Sequence, residues 1–244
     1  MIRGLYFRIV YFLSWPLFAV GAALFALFCA ALLVLPQGKA VGQMVRWLIR
    51  RLFRIWTGWL HFTGLIRIEW DQPPDASLPH PAVYVANHPG LLDATILLSR
   101  LRETVCIVKP AVMRNPLLGP AARAAGYAAG DGGVDTLRAL VDRLAAGQGV
   151  LIFPEGTRTD SDAAYNPLKP GFALIARRAA VPIQVLLIEG SRDLLPRGAV
   201  WWRVPRLPGR YRIRIDTCFA PLGAGASAGE IAAQIESRFA AELG

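Results

Sequence analysis

The chain contains the run Tyr84-Val85-Ala86-Asn87-His88-Pro89-Gly90-Leu91-Leu92-Asp93, in which a short apolar segment leads directly into polar and turn-forming residues. A second run, Val150-Leu151-Ile152-Phe153-Pro154-Glu155-Gly156-Thr157-Arg158, repeats that order one strand-helix-strand passage later. Short apolar runs bounded by turn residues are typical of buried strands in parallel sheets. Open α/β sheets place their active sites at the carboxyl ends of such strands. The sequence therefore predicts that the two polar ends face one pocket.

Strand and helix patterns alternate along the chain from residue 66 onward. The predicted strands cover residues 66–70, 81–86, 105–108, 150–153, 182–188 and 210–219. Helices are predicted over residues 91–101 and 172–180. A further helix is predicted from apolar residues that share one face, Val134, Leu137, Leu140, Val141 and Leu144, and a last one follows a capping box of Ser227 and Glu230. Because strands that alternate with helices form crossover units, we expect an α/β fold with a mostly parallel central sheet flanked by helices. Strand 210–219 alternates polar and apolar residues and is predicted to be an edge strand with one wet face.

The first part of the chain has the composition of a membrane anchor. Residues 9–35 contain no charged side chain, and this stretch is longer than the ~20 residues that cross a bilayer core. Tryptophan and arginine recur on a helical rhythm in residues 44–60, as in helices that lie in the headgroup layer. A signal peptide has a shorter apolar region, and a nucleic-acid patch does not account for the adjoining apolar span. We therefore predict membrane-anchoring helices in residues 1–64, a globular catalytic domain in residues 65–244, and no nucleic-acid partner.

The distribution of charge predicts how the domain is oriented. Arg3 and Arg8 precede the apolar span, whereas the basic residues that follow it are Lys39, Arg46, Arg50, Arg51 and Arg54. The positive-inside tendency places the globular part in the cytoplasm. Bends at Pro16 and Gly21 would instead give a re-entrant hairpin with both ends cytoplasmic, and the two arrangements stay open. A net charge of +10 combined with 54% hydrophobic residues also favours an anionic lipid surface as a partner.

The three cysteines and the adjacent Trp201 and Trp202 are not predicted to take part in the chemistry of the site. Cys29, Cys106 and Cys218 lie far apart within apolar stretches, so we predict free, buried thiols without a disulfide or a metal site. Trp201 and Trp202 are assigned either to core packing or to a second contact with the membrane interface.

His88 and Asp93 have the residue types of a general-base pair. A neutral imidazole can take a proton from an alcohol near neutral pH when another group holds its second nitrogen. Because the chain turns at Pro89-Gly90, we expect Asp93 in the first turn of the following helix, placed to orient His88. A hydroxyl on the substrate would complete a triad, so the protein needs no serine nucleophile. In the second run, Arg158 is suited to bidentate hydrogen bonding with a phosphate.

With both runs present, the chain resembles the glycerolipid, or lysophospholipid, acyltransferases over residues 66–222. The matching positions are His88 and Asp93 in the His-x-x-x-x-Asp hallmark, residues 153–158 in the Phe-Pro-Glu-Gly-Thr-Arg block, Lys169 and Gly171 in a Lys-x-Gly that commonly follows, and Val181-Pro182-Ile183 at the start of the final block. Either main hallmark alone is weak, and the two together are highly specific.

The resemblance implies transfer of a fatty acyl group from an acyl-CoA or acyl carrier protein thioester to a hydroxyl of a lyso-lipid such as 1-acylglycerol-3-phosphate. It assigns His88 as the base and Asp93 as its orienting partner, with no cofactor and no metal. The acceptor-binding residues that it implies are Glu155, Gly156 and Arg158, and we predict that Thr157 and Lys109 also bind the acceptor. It also implies an enzyme of the bacterial inner (cytoplasmic) membrane, with its catalytic domain on the cytoplasmic side.

The sequence departs from the family pattern at two places. Residues 126–131 (Gly-Tyr-Ala-Ala-Gly-Asp) lack the arginine that usually helps to hold glycerol phosphate, and Gln184-Val185 replaces the usual continuation of the final block. Cations nearby that would substitute are Lys109, Arg114 and Arg123. Residues 109–116 look more like the bacterial branch associated with aryl-polyene lipids. A non-glycerophosphate acceptor, such as an aryl-polyene, a glycolipid or an aminolipid, is therefore an alternative.

Three other functions are alternatives to acyl transfer. A non-catalytic membrane lipid-binding scaffold would keep the fold, but it has no need of an intact His88 and Asp93. A hydrolase requires a Gly-x-Ser-x-Gly elbow, and we expect none in this chain. A His-Asp metal enzyme would need further ligands clustered around the first motif.

Overall fold

A computed structural model describes residues 2–34, 38–73, 78–160, 162–190, 194, 200, 202–221 and 227–243. The strands within these residues are β1 (Ile66–Trp70), β2 (Val83–Ala86), β3 (Thr104–Val108), β4 (Ala128–Ala129), β5 (Gly149–Ile152), β6 (Ile183–Glu189) and β7 (Gly209–Phe219). The helices are α1 (Ile2–Leu33), α2 (Lys39–Phe62), α3 (Asp93–Leu98), α4 (Pro110–Arg114), α5 (Gly119–Ala124), α6 (Gly133–Ala145), α7 (Gly171–Ala179) and α8 (Ala228–Leu243).

The strands form one sheet in the order β1-β7-β6-β2-β5-β3-β4. Neighbouring strands are parallel except for the antiparallel pair of β6 and β7. The predicted α/β fold with a mostly parallel sheet is therefore confirmed. Strands β2 and β5 are direct neighbours, with Val85 opposite Ile152, so their carboxyl ends lie side by side.

Helices cover both faces of the sheet. On one face, buried residues such as Val83, Val150 and Val185 pack with α6, α7 and α8. On the other face, the alternate residues Tyr84 and Leu151 pack with α3 and with the ends of α1 and α2 that lie near the sheet. Because successive side chains of a strand point to opposite faces, these central strands contribute to both cores, which accounts for their continuous apolar sequence.

The prediction that strand 210–219 lies at an edge was wrong. Strand β7 is bonded on one side to β6 and on the other to β1. Its alternation is nevertheless observed: Tyr211 and Ile213 are buried, whereas Arg210 and Arg212 are exposed. Alternation reports that one face of a strand is solvated, and it carries no information about which strands lie beside it.

Several predicted boundaries changed. Helix 91–101 is shorter, because Leu91 and Leu92 belong to the turn before α3. Val134 is exposed although it was assigned to the buried face of α6. The strand β4 was not predicted, because two residues are too short to show a pattern. The capping box of α8 is confirmed: Ser227 Oγ accepts from the Gly229 N–H at 3.2 Å and Glu230 Oε2 from the Ser227 N–H at 3.4 Å.

Helix α1 is continuous from Ile2 to Leu33 and contains Pro16 and Gly21, so a hairpin turn at those two residues is not formed. By length and composition it is long and apolar enough to cross a membrane. Arg46, which was counted among the basic residues after the apolar span, is enclosed by protein. It is 5% exposed, lies 3.0 Å from Glu103 and donates to the Ala125 carbonyl at 2.9 Å. The division of the chain at residues 64 and 65 stays a prediction.

The expectation for the cysteines holds for two of them. Cys29 and Cys106 are buried free thiols, and burial raises the pKa of Cys106 to about 12. Cys218 is exposed, because it lies near the end of β7 where the strand is partly solvated. Trp202 is 61% exposed, which removes core packing as its role, whereas Trp201 lies outside the described residues.

Candidate active site

The first motif leaves the sheet at the carboxyl end of β2 and turns back into α3. Strand β2 ends at Ala86, the chain turns through Pro89-Gly90, and α3 begins at Asp93. This turn brings Asp93 Oδ2 to 2.8 Å from His88 Nδ1. Asp93 therefore lies in the first turn of a helix, in contact with His88, as the spacing predicted.

The carboxylate of Asp93 is enclosed by protein. Its side chain is 0% exposed, and Oδ2 also accepts a hydrogen bond of 2.7 Å from the Gly90 N–H. Burial raises the pKa of Asp93, while His88, the Gly90 amide and the Tyr211 hydroxyl stabilise the charged form and oppose that shift. When Asp93 is ionised, its oxygens can only accept, so Oδ2 accepts from His88 Nδ1–H as it does from the Gly90 N–H.

His88 lies at the outer end of this pair. Its side chain is 19% exposed. Its ring lies nearly parallel to that of Phe153, with centroids 4.2 Å apart and planes inclined by 22°. Stacking on Phe153 fixes the plane of the ring and the bond to Asp93 fixes its direction. With the proton on Nδ1, Nε2 is the nitrogen that can accept a proton from a substrate hydroxyl.

Glu155 joins the second motif to the first. Its Oε1 accepts from the His88 N–H at 2.8 Å, and its Oε2 accepts from the Asn166 N–H at 2.8 Å. The hydroxyl of Thr159 lies 3.0 Å from Oε1 and 2.8 Å from Oε2. Glu155 is only 4% exposed, and all these partners are protein groups. Binding of the acceptor by Glu155 itself stays a prediction, whereas its contacts fix the backbone of His88.

Sequence reasoning missed Asn87, Thr159 and Asn166. Asn87 is 2% exposed; its Nδ2 donates to the Ile188 carbonyl at 2.9 Å and its Oδ1 accepts from the Ile188 N–H at 2.7 Å. These bonds attach the first motif to β6. A polar residue at the end of a buried strand can be recognised in the sequence. The partner of Asn87 is 101 positions away, so this contact can be identified only when the fold is known.

Cationic side chains lie over the turn of the second motif. Lys109 Nζ, at the end of β3, lies 3.1 Å from Thr157 Oγ1. Gly156 has φ +69°, and a Cβ there would lie 3.0 Å from Lys169 Nζ. The positive φ favours glycine at this position, and the end of the Lys169 side chain lies close above it. Lys169 is a further site residue that was not among the predicted ones.

The other predicted substitute cations do not join this turn. Arg123 donates to the Met113 carbonyl at 2.5 Å and thereby ties α5 to α4. Arg114 is exposed at the end of α4. Of the three substitutes, Lys109 is the one that contacts the second motif among the described residues, through Thr157.

An apolar cavity of about 640 Å³ extends from the first motif between the sheet and the N-terminal helices. Its wall near the motif includes Leu91 and Leu92, which stand between His88 and Asp93 in sequence. The remaining wall is supplied largely by α1, α2, α3 and α5, with aromatic residues such as Trp15, Phe53 and Trp56. The cavity is lined mainly by apolar and aromatic side chains, as suits a hydrocarbon chain.

Both departures from the family pattern have structural roles. Gln184 is 2% exposed, and its Nε2 donates to the Asp216 carbonyl at 2.9 Å, which ties β6 to β7. Gly126 has φ +76°, and a Cβ there would lie 2.6 Å from Arg143 Nη2. Residues 126–131 therefore contribute packing where the family pattern has a cation.

The sequence does contain one Gly-x-Ser-x-Gly spacing, at Gly225-Ala226-Ser227-Ala228-Gly229. Its serine does not stand at the end of a strand. Ser227 precedes α8, and its hydroxyl accepts from the Gly229 N–H at 3.2 Å. Ser227 is thus a helix cap, and the hydrolase alternative gains no nucleophile from it.

These observations define a class of protein: an α/β protein with an oriented histidine between a cationic turn and an apolar cavity. The sequence profile of the family described as Acyltransferase matches residues 67–189, about half of the chain and the part that contains both motifs. The chain belongs to this acyltransferase family.

Named relatives and a solved structure agree with this assignment. The chain is 32% identical over 124 residues to the chloroplastic 1-acyl-sn-glycerol-3-phosphate acyltransferase BAT2 of Brassica napus, covering 49% of this chain and 36% of the relative. It is 31% identical over 113 residues to the 1-acyl-sn-glycerol-3-phosphate acyltransferase of Helicobacter pylori, covering 44% of this chain and 48% of the relative. The chain thus spans about a third to a half of the length of these relatives.

The crystal structure of the 1-acyl-sn-glycerophosphate (LPA) acyltransferase PlsC from Thermotoga maritima has a similar fold. The TM-score is 0.73 at 21% identity, and the similarity covers 99% of this chain and 96% of that chain. It extends over both the N-terminal helices and the sheet, and it supports the fold alone.

Proposed function

We propose that the protein is an O-acyltransferase that moves a fatty acyl group from a thioester, carried by coenzyme A or acyl carrier protein, to a hydroxyl of a lyso-lipid such as 1-acylglycerol-3-phosphate. The observation that carries this proposal is the 2.8 Å contact between His88 Nδ1 and Asp93 Oδ2, beside a cationic turn and an apolar cavity. An acceptor with a hydroxyl, a phosphate and an acyl chain matches these three features. The relatives from Brassica napus and Helicobacter pylori, both 1-acyl-sn-glycerol-3-phosphate acyltransferases, support the same acceptor.

The proposed reaction is direct transfer. His88 Nε2 takes the proton of the acceptor hydroxyl while the hydroxyl oxygen forms a bond to the thioester carbonyl carbon. The tetrahedral intermediate then collapses with cleavage of the carbon–sulfur bond, and the departing thiolate takes the proton from the His88 imidazolium. The products are an ester and a free thiol. Asp93 stabilises the imidazolium between the two proton transfers, because its carboxylate faces Nδ1.

The turn of the second motif would hold the acceptor. Gly156, Thr157 and Arg158 follow the residue that anchors His88, and Lys109 contacts Thr157 at 3.1 Å. A phosphate on these groups would place the neighbouring hydroxyl of the same glycerol beside His88. Cationic side chains and a turn with positive φ are suited to a phosphate monoester.

We also propose that residues 1–64 attach the protein to a membrane and that residues 65–244 form the catalytic domain on its cytoplasmic side. Helix α1 exposes large apolar side chains along its length, including Leu13, Leu24 and Leu27 at 61%, 64% and 69%. Helix α2 exposes Trp47, and the Arg51 guanidinium lies 5.3 Å from the centroid of that ring. Such pairs suit the headgroup layer. The excess of basic residues after the apolar span supports the cytoplasmic side of a bacterial inner membrane.

The test is an acyl-transfer assay on membranes that contain the protein, with a labelled acyl donor and a panel of lyso-lipids in the presence of a chelator. His88→Ala should lower the rate by about 10²–10⁴ because the general base is lost. His61→Ala is the matched control, since His61 Nδ1 contacts the Ile68 N–H and lies outside the site. Full activity in His88→Ala would remove His88 from the mechanism.

The same panel separates the alternatives. Acylation of aryl-polyene, glycolipid or aminolipid acceptors in preference to 1-acylglycerol-3-phosphate would replace the proposed acceptor but keep the chemistry. Absence of transfer to every acceptor, with lipid binding retained, would favour the scaffold. Loss of activity with the chelator would favour a metal enzyme.

A further inference from the structure

Arginine side chains lie together on the outer strands of the sheet, on the face opposite to α1 and α2. Arg67 on β1 lies directly opposite Arg210 on β7, and Arg212 follows two positions later on the same face. All three side chains are exposed. Because neighbouring strands are ~4.8 Å apart, Arg67 and Arg210 project like charges from adjacent backbone positions. These three residues form a surface that we call the arginine face.

The fold does not neutralise the arginine face. Among the residues that the structure describes, no carboxylate lies within 4.0 Å of these three guanidinium groups. Glu69 stands opposite Arg212 in the strand register, outside that distance. Farther along β7 the arrangement differs, because Arg214 lies 2.7 Å from both Glu189 and Glu242. Like charges opposite each other repel, so the arginine face is unfavourable for the isolated fold and favours an acidic partner.

The arginine face lies behind the proposed catalytic pair, at the carboxyl edge of the sheet. Arg212 is opposite Glu189, the last residue of β6. Tyr211, between Arg210 and Arg212, points to the other face, where its hydroxyl stabilises the Asp93 carboxylate. Strand β7 is two strands from β2, so about 10 Å separates it from the strand that ends at the first motif. A partner on the arginine face is therefore close enough to deliver a thioester on a flexible arm.

The position of the arginine face favours a soluble protein over a lipid surface or a small anion. Helices α1 and α2, which we propose attach the chain to a membrane, pack with Tyr211 and Ile213 on the opposite face of the sheet. Coenzyme A is anionic too, but sites for small molecules are concave, whereas the three arginines are exposed on the outer face of two strands. An exposed patch of one charge sign complements the acidic surface of a protein.

We infer that the arginine face docks the acidic surface of an acyl carrier protein, whose pantetheine arm carries the acyl thioester around the edge of the sheet to His88. This inference rests on the acyl transfer proposed above. It names the carrier protein, rather than free coenzyme A, as the donor that this chain prefers.

The experiment compares the double variant Arg67→Gln with Arg210→Gln to a control that removes the same charge elsewhere. The control combines Arg177→Gln with Arg178→Gln, two exposed arginines in the last turn of α7, which leads into the amino end of β6. Initial rates are measured on the detergent-solubilised full chain with saturating 1-acylglycerol-3-phosphate and varied donor, either the acyl carrier protein thioester or acyl-CoA.

We expect the arginine-face double variant to raise KM for the carrier-protein thioester about tenfold, in line with the loss of two exposed ion pairs. The values of kcat and of KM for acyl-CoA should change less than about twofold, and the control should match the wild type with both donors. The double variant Arg67→Lys with Arg210→Lys keeps the charge and should retain most of the affinity. An increase in ionic strength from about 0.01 M to about 0.1 M should raise KM for the carrier-protein thioester more in the wild type than in the glutamine variant.

An unchanged KM for the carrier-protein thioester, or an equal rise for acyl-CoA, would overturn the inference. Fluorescence anisotropy of labelled holo-acyl carrier protein, titrated with the full chain, makes the test independent of turnover. Weaker binding by the arginine-face double variant than by the control supports the docking surface even if the wild type acylates nothing, in which case the proposed function alone has failed. Equal binding of the carrier protein by the two variants refutes the inference. If that result comes with weaker binding of the arginine-face variant to phosphatidylglycerol vesicles, the face contacts the membrane instead.

Discussion

Replacing Glu155 by glutamine separates two roles that this carboxylate has in the two lines of argument. The family resemblance assigns Glu155 to the acceptor, whereas its contacts assign it to the backbone of His88. Oε1 accepts from the His88 N–H and Oε2 from the Asn166 N–H, both at 2.8 Å. Glutamine keeps the size of the side chain but converts one oxygen into an NH₂ group.

The loss of stability caused by Glu155→Gln can be estimated by counting hydrogen-bond donors and acceptors. The glutamine carbonyl can accept from one of the two backbone N–H groups, and its NH₂ group then faces the other one. The hydroxyl of Thr159 can rotate and accept from the NH₂ group, so its contact survives. One hydrogen bond to a charged acceptor is lost, which is worth about 1.5–3 kcal/mol. For a chain of this size, 1 kcal/mol corresponds to about 2–4 °C, so the apparent Tm should fall by about 3–12 °C.

The assay measures apparent Tm and steady-state kinetics in the same detergent. Because the lost bond holds either His88 or Asn166, we expect a lower kcat with little change in KM for the acceptor. Thr159→Val is the matched variant: it removes one hydroxyl donor at nearly constant volume and should lower stability by about 1 kcal/mol. The double variant should be less destabilised than the sum, because the two changes act on one carboxylate.

A different pattern would refute this reasoning. An unchanged Tm together with a raised KM for the acceptor would mean that Glu155 binds substrate and that its contacts to protein are dispensable. An additive double variant would show that Thr159 and Glu155 do not share a network.

Two further predictions concern the first motif and the cavity. Asp93→Asn should lower the rate by about 10²–10⁴. The Tm of this variant at neutral pH should equal or exceed that of the wild type. Because burial raises the pKa of Asp93, the folded wild type loses stability as pH rises from about 4 through that raised pKa, and asparagine avoids this loss. A Tm advantage of the variant that grows toward low pH would contradict that sign. Gly21→Leu adds side-chain volume to the cavity wall at a position with no atom within 4 Å of a new Cβ, and should shift the preference to shorter acyl chains by about tenfold. Gly58→Leu, equally open but outside the cavity wall, should not change the preference.

The sequence was sufficient where a feature depends on neighbouring residues. Apolar runs that end in turn residues predicted β2 and β5, and the Pro89-Gly90 turn predicted that Asp93 lies beside His88. The sequence was insufficient where a feature depends on distant partners. The inward direction of Glu155 depends on the Asn166 N–H, eleven positions away, and the burial of Arg46 depends on Glu103, 57 positions away in the bend before β3.

The placement of charge in the site follows from what a lipid acyl transfer needs. A carboxylate exposed beside the base would repel a phosphate, and an uncharged partner would not stabilise the imidazolium. The structure meets both demands by enclosing Asp93 completely, where the Gly90 amide and the Tyr211 hydroxyl offset part of the cost of its burial. Glu155 is buried in the same way. The lysine side chains that lie over the turn are exposed, whereas the carboxylates of Asp93 and Glu155 contact His88 from the protein interior. In the proposed reaction, the apolar cavity takes the hydrocarbon chain, and the hydroxyl between the two ends of the acceptor is the group that meets Nε2.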